Sequence, residues 1–145
     1  MEVYIEQVKN YSTGLTEAIN RLLKQLNTDA TLLKDDEVKT MIDSSANRLF
    51  VARKLNGEEI VGMLNLIVFR IPFAKKGLLE DIVVDKKYRG KGIGTRLISA
   101  AIDQARQEEL KYIDFTSNPM RVEANKLYQR LGFEKRDTNA YRIKL

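Results

Sequence analysis

Residues 78–101 read LLEDIVVDKKYRGKGIGTRLISAA, and three local signals follow one another inside them. Leu78 to Val84 is a run of strand-forming residues. A basic turn, Asp85 to Arg89, comes next, and then Gly90, Gly92 and Gly94 at alternate positions. From Ile93 the apolar residues Leu97, Ile98, Ala101, Ile102 and Ala105 recur as one stripe of a long helix. Glycines at a strand-to-helix junction let backbone N–H groups approach a bulky anion with no Cβ in the way. The helix N-terminus behind them adds partial positive charge and unpaired donors. The stretch therefore predicts a phosphate cradle, with Lys86, Lys87, Arg89, Lys91 and Arg96 supplying further charge. It is neither of two familiar cradles. The P-loop spacing with its Lys-Ser/Thr is missing, and strict alternation breaks G-x-G-x-x-G. The competing reading is a corner that uses glycine only for close packing.

The stretch resembles the acyl-CoA-binding motif of the GNAT superfamily of N-acetyltransferases, Gln/Arg-x-x-Gly-x-Gly/Ala. Arg89, Gly92 and Gly94 match it position for position. The resemblance implies acetyl-CoA as co-substrate. It places the cofactor on Ile82, Val83 and Val84 of the strand and on Arg89, Gly90, Lys91, Gly92, Ile93, Gly94 and Thr95.

The totals fit one domain over 1–145, with 43% hydrophobic and 31% charged residues. No apolar run reaches membrane-spanning length, and the N-terminus lacks the order of a signal peptide. With no cysteine as well, a cytoplasmic protein is expected. Histidine and cysteine are both absent, which excludes a Ser-His-Asp triad, a cysteine nucleophile and a Cys/His zinc site. Catalysis is left to carboxylates, Tyr, Lys, hydroxyls and backbone groups, with no metal, and direct transfer in a ternary complex is favoured. The net charge is +5, but no aromatic-interleaved basic stretch accompanies it, so nucleic acid is not an expected partner.

Along the chain, Val3 and Ile5 start a strand. Ser12 or Thr13 is expected to cap a helix carrying Leu15, Ile19, Leu22 and Leu26, and Asp35 or Asp36 a second with Val38, Met41 and Ile42 inward. Leu49 to Leu55 and Glu59 to Phe69 read as strands joined by Asn56-Gly57, the signal of a type I′ hairpin. Pro72 keeps the next connection out of the sheet. Tyr112 to Phe115 is a strand, Asn118-Pro119 opens a helix, and Gly132 closes it in the left-handed conformation. Phe133 to Arg136 and Ala140 to Leu145 predict a terminal hairpin. The order β-α-α-β-β-β-α-β-α-β-β is an α/β or α+β sandwich. It resembles the GNAT fold over essentially its whole length: a central mixed, largely antiparallel sheet flanked by about four helices. In that fold the strand before the glycine turn and the next strand splay apart, and the pantetheine arm of the cofactor enters the gap.

A second constellation lies in RVEANKLYQRLGF, Arg121 to Phe133. Ala124, Leu127 and Leu131 make a core face, while Arg121, Asn125 and Tyr128 share an adjacent one. The string resembles the family's second motif, which ends in Leu-Tyr-x-x-x-Gly-Phe. That resemblance gives Tyr128 the place of the tyrosine near the cofactor sulfur that acts as general acid. Many members carry Asn where this chain has Arg121, and the flanking Asn118 and Asn125 are the candidate replacements.

The third is Glu80-Asp81, which strand alternation sends to opposite faces. The strand resembles members that acetylate polyamines and related amines, where the matching glutamate binds substrate or removes a proton; that favours Glu80 as base. An alkylammonium acceptor is neutral at pH 7 only to about 1 part in 10³·⁴, a deficit of about 4.6 kcal/mol that a base relieves in part. Backbone N–H groups of Ile82 to Val84 are candidate donors to the thioester oxygen. A phenol is a weaker acid than a thiol, so full proton transfer from Tyr128 is uphill by about 2 kcal/mol and hydrogen bonding is its main expected service.

The expected function is therefore transfer of an acetyl group from acetyl-CoA directly to a primary amine, small or protein-borne. The alternatives are a non-catalytic acyl-CoA-binding module and, further off, a basic nucleic-acid-binding domain. No membrane partner is expected, a homodimer is left open, and the acceptor is not readable.

Overall fold

The computed structural model of the chain describes residues 2–145. Two compact units are formed, the first ending at Asp114 and the second spanning Phe115–Leu145. The first holds β1 (Val3–Gln7), α1 (Leu15–Leu26), α2 (Asp35–Asp43), β2 (Asn47–Lys54), β3 (Ile60–Arg70), β4 (Lys75–Val84), a 3₁₀ turn (Lys86–Tyr88), α3 (Ile93–Gln107) and β5 (Ile113–Asp114). The strands lie in the order β1-β2-β3-β4-β5, antiparallel throughout except for the parallel pair β4–β5. This is the mixed sheet the sequence predicts.

β3 is buried along almost its whole length because helices cover both faces of the sheet. On one face Met63, Leu49 and Val51 pack with Leu15, Ile19 and Leu22 of α1 and Val38 of α2. On the other, a Cβ at Gly62 would lie 3.2 Å from the Leu97 side chain, so glycine there is what lets α3 close down. Leu22, Leu64, Leu66 and Leu97 are fully buried, each stabilising the fold by about 1.5–3 kcal/mol.

Several local expectations are corrected. α1 is capped by Gly14 in the left-handed conformation, not by Ser12 or Thr13, and no side chain caps it. α2 starts after Lys34, whose N–H is accepted by Glu37 at 3.0 Å; Asp35 instead lies inside the first turn, where hydrogen bonds from Thr16 and Tyr11 hold its carboxyl below the usual range. The Asn56-Gly57 corner is not type I′, since neither residue has positive φ. The loop is longer: Lys54 pairs with Glu59 across it, and Gly57 N–H closes an ordinary β-turn onto the Lys54 carbonyl at 3.3 Å.

In the second unit α4 (Val122–Arg130) follows a turn at Asn118–Met120 rather than starting at Pro119. Gly132 takes φ 97°, as the sequence predicts for the helix stop. Phe115 meets Tyr128 and Phe133 edge-on at 4.7 and 4.9 Å, geometry that adds about 0.5–1.5 kcal/mol per pair. The terminal hairpin is not formed. Residues 133–145 contain no strand, and Tyr141, Ile143 and Leu145 are 90%, 80% and 113% exposed. Their alternation is that of a strand, but a two-stranded ribbon with no surface to bury against is marginal in water.

Candidate active site

The register of β3 against β4 carries the first feature. Met63 pairs with Val83 and Asn65 with Glu80, so two steps on β3 match three on β4. The extra residue is a bulge, and Asp81 sits in it at φ 54°, a conformation that L side chains avoid. The bulge breaks the alternation assumed for Glu80 and Asp81. It reverses the facing of the strand: Leu79 pairs with Leu66 on the α3 face, whereas Val83 pairs with Met63 on the α1/α2 face. Glu80, opposite Asn65, is brought to the α1/α2 face. Glu80 and Asp81 are both exposed. Desolvation by the protein around Asp81 nonetheless pushes its carboxyl above the ordinary carboxylate range.

β5 pairs with β4 only at Gly77 and Leu78. Among the described residues, Leu79 to Val84 therefore have a strand partner on the β3 side alone. This is a sheet that opens where the family resemblance implies splayed strands, and Ile82, Val83 and Val84 lie along the open part.

The cradle follows directly. Asp85 caps the 3₁₀ turn by accepting from Lys87 N–H at 3.0 Å, and Arg89 turns back to donate to the Val84 carbonyl at 2.9 Å. Gly90 and Gly92 have φ 75° and 76°, and a Cβ on either would meet no atom within 4 Å. Gly94 lies in the helix without positive φ, and a Cβ there would meet only Val84, at an ordinary 3.8 Å. Packing thus asks for glycine at none of the three, which removes the close-packing reading. α3 has no side-chain cap, and its first intrahelical bond runs from Arg96 N–H to the Gly92 carbonyl at 3.1 Å. The N–H groups of Ile93, Gly94 and Thr95 are left facing the space that the glycines keep open. That combination fits a pyrophosphate. The Ile93 side chain points the other way, into the core at 3% exposure, so only its backbone can serve.

The charges are less uniform than the sequence implies. Arg96 donates to the Val3 carbonyl at 2.7 Å and so anchors α3 to β1. Lys91 lies over the Tyr88 ring, 5.8 Å from its centre. Lys86, Lys87 and Arg89 are exposed.

Asp85 is the buried anchor of the turn. Arg21 of α1 meets it at 2.5 Å and also donates to the Ile60 carbonyl at 2.6 Å. Burial pushes the Asp85 carboxyl up, but Lys87 N–H, the Gln25 side chain and the charges of Arg21 and Lys87 outweigh it and hold the group below its ordinary value. Sequence reasoning missed this pair, since nothing local links residues 64 positions apart. It also missed Asn65, an amide 8% exposed in the otherwise apolar run of β3; that isolation was the available signal. A cavity of about 340 Å³ lies at the α1 N-terminus, lined by Gly14, Arg21, Arg53 and Glu59 among others, and includes none of the expected site residues.

In the second unit, Asn118 and Asn125 are brought together. Asn118 Oδ1 accepts from Met120 N–H at 2.9 Å, and Asn125 Nδ2 donates to the Asn118 carbonyl at 3.1 Å. Both amides thus shape the entry to α4. Tyr128 is the most buried position of that helix, at 7% exposure, and joins Ala124, Leu127 and Leu131 in one stripe instead of standing apart from them. Among the described residues no cluster of carboxylates could hold a metal ion, and no helix is long and apolar enough to cross a membrane.

Comparison with known proteins gives a family and a fold. The profile of the Acetyltransferase (GNAT) family matches residues 16–133. The aminoalkylphosphonate N-acetyltransferase of Salmonella typhimurium is 26% identical over 133 residues, 88% of this chain and 84% of that one. N-alpha-acetyltransferase 30 of Xenopus laevis is 37% identical over 93 residues, which cover 61% of this chain but only 33% of the relative. In three dimensions, AAC(6')-Iy in complex with the bisubstrate analogue CoA-S-monomethyl-acetylneamine superposes over 100% of both chains with a TM-score of 0.79 at 19% identity, a likeness of fold.

Proposed function

The chain belongs to the acetyltransferase (GNAT) family and is an acetyl-CoA-dependent N-acetyltransferase, and from that premise we propose how its own residues carry out the transfer. Acetyl-CoA supplies the activated acetyl group: its C–S bond breaks as a C–N bond to the acceptor forms. The observation that carries the assignment is the uncapped α3 N-terminus, with Gly90 and Gly92 shaping the turn before it through their positive φ and Gly94 required neither by φ nor by packing. In our reading, N–H groups of Ile93, Gly94 and Thr95, with Gly90, Lys91, Gly92 and the exposed Arg89, bind the pyrophosphate. The unpaired edge of Ile82 to Val84 holds the pantetheine arm and donates to the thioester oxygen as charge builds on it.

Glu80 takes the proton that the amine must lose. The bulge turns it toward the face that α1 and α2 border, and we place the acceptor on that side. Tyr128 donates a hydrogen bond to the departing thiolate, the part its motif implies. Asn118 and Asn125 act through the entry to α4, whose shape they fix, in place of the family asparagine at position 121. The acceptor is a primary amine; the relatives' names support that class. The absence of cysteine and histidine rules out a thioester or acyl-imidazole intermediate, which favours direct transfer.

The test is release of CoA from acetyl-CoA with a set of primary amines, for wild type and Glu80→Gln. The variant should lose about 10²-fold in kcat/KM at pH 7 and recover part of it near and above pH ~10.4, where free amine is abundant. Equal activity of the two proteins across pH would remove Glu80 from the mechanism.

A further inference from the structure

Asn65 stands alone as a polar side chain in the apolar run Ile60–Phe69, and it is 8% exposed. Its Nδ2 is committed, donating to Asn47 Oδ1 at 2.8 Å. Its Oδ1 is buried and has no hydrogen-bond partner. A buried amide oxygen left unpaired destabilises a fold, and a donor from outside the protein, a water or a ligand N–H, would relieve that cost. The position says which donor. Asn65 pairs with Glu80 across the β3–β4 ladder, immediately before the bulge at Asp81, and the two side chains share the α1/α2 face. Along β3 the core cluster of that face ends at Met63, while Leu49, opposite Asn65 on β2, still belongs to it; Asn65 is the next residue outward on β3, and Ile67 beyond it is only partly buried.

We propose that Asn65 is an acceptor-binding residue: its Oδ1 accepts a hydrogen bond from an N–H of the substrate amine, holding the nitrogen beside the bulge of β4. The inference rests on the transferase reading and adds to it a residue that recognises the acceptor. An acceptor-only atom selects a ligand with an N–H to give and a small enough amine to reach it. It fixes the orientation of the nitrogen while a carboxylate takes one proton, so one N–H is held as another is lost. The amine nitrogen attacks the acetyl carbon, the C–S bond breaks, and Asn65 itself neither gains nor loses a proton.

The experiment compares wild type, Asn65→Leu and Asn65→Asp. The Leu variant is near in size and lacks the oxygen; the Asp variant keeps an oxygen at that place. Each is followed by thermal unfolding, CoA titration and steady-state transfer to a short alkylamine, an aminoalkylphosphonate and a peptide with a free α-amine. Asn65→Leu gives up the bond to Asn47 but also removes the unpaired buried oxygen, so it should melt close to wild type and bind CoA equally well, yet raise the amine KM at least tenfold. Asn65→Asp replaces the amide that donates to Asn47 with a second oxygen, so it is compared as folded protein, and there the amine KM should rise clearly less than in Asn65→Leu. Should the Leu variant not fold, Asn65→Ala is read in its place, with the same expectation for KM. An unchanged amine KM in a folded Leu or Ala variant, or an equal rise in the Asp and Leu variants, overturns the proposal. If wild type binds CoA but acetylates no amine, the transferase reading fails first and the assignment of Asn65 falls with it.

Discussion

Tyr128 is the residue at which packing and chemistry compete. Its ring is held edge-on by Phe115, and it is the one buried residue of α4, so its position is set by packing. Tyr128→Phe keeps that ring and removes only the hydroxyl. If the hydroxyl stabilises the leaving thiolate, kcat should fall about 10²-fold while Tm and CoA affinity hold, because the thioester needs the donor less than the thiolate does. A lower Tm with unchanged kcat would show the hydroxyl to be structural. The sequence placed Tyr128 by motif and misjudged its burial: the period of α4 allows Ala124, Leu127 and Leu131 a fourth member at either neighbouring face, and the contact that decides comes from Phe115, outside the helix. Asp81 shows the same limit. Its neighbours are strand formers, and nothing in their order announces a backbone at φ 54°. The mismatch of register with β3 creates it.

At the scale of elements, the glycine turn works because something rigid holds its far end. Arg21 on α1 is that clamp, joining Asp85 and the Ile60 carbonyl. Arg21→Met leaves a buried carboxylate without its cation. Discounted for the 38% exposure of the arginine side chain, the loss should be about 2 kcal/mol. Its pH dependence has a definite sign. The folded-state value for Asp85 lies below the unfolded one, so its stabilisation is complete above about pH 4, the unfolded value, and disappears as pH falls through the folded one. The gap in Tm between wild type and Arg21→Met should therefore be full at pH 6 and shrink as pH falls through the folded-state value of Asp85; a gap that does not narrow at all in acid would mean the arginine acts by packing. Elements with long, one-sided apolar periods were legible in advance: α1, α3 and the β2–β3–β4 meander stand where the sequence predicts them. Their ends were less so. Ser12 and Asp35 are good capping residues by type, but Gly14 and Lys34 occupy the caps because the chain's path into the core, through Leu15 and Val38, sets where each helix begins. The terminal hairpin failed for the complementary reason: alternation alone does not supply a surface to bury it.

For the molecule as a whole, function follows from a sheet that stops pairing. β4 is zipped to β5 for two residues and then keeps only one neighbour, and the edge so exposed runs straight into the turn and the open end of α3. A net charge of +5 favours a polyanionic co-substrate at long range, while the backbone donors of the cradle provide the fit. The central claim is that the cofactor's pyrophosphate sits against Gly94 and its neighbours, and CoA titration by calorimetry tests it most directly on three proteins. In Gly94→Ala the added methyl has room, meets Val84 only at ordinary distance and improves helix propensity, so stability should hold or rise by up to about 1 kcal/mol with CoA affinity retained. In Gly94→Val the branched side chain should fill the space in front of the helix, and a folded protein should bind CoA at least tenfold more weakly than wild type. A Val variant that is folded and binds CoA as tightly as wild type would contradict the account.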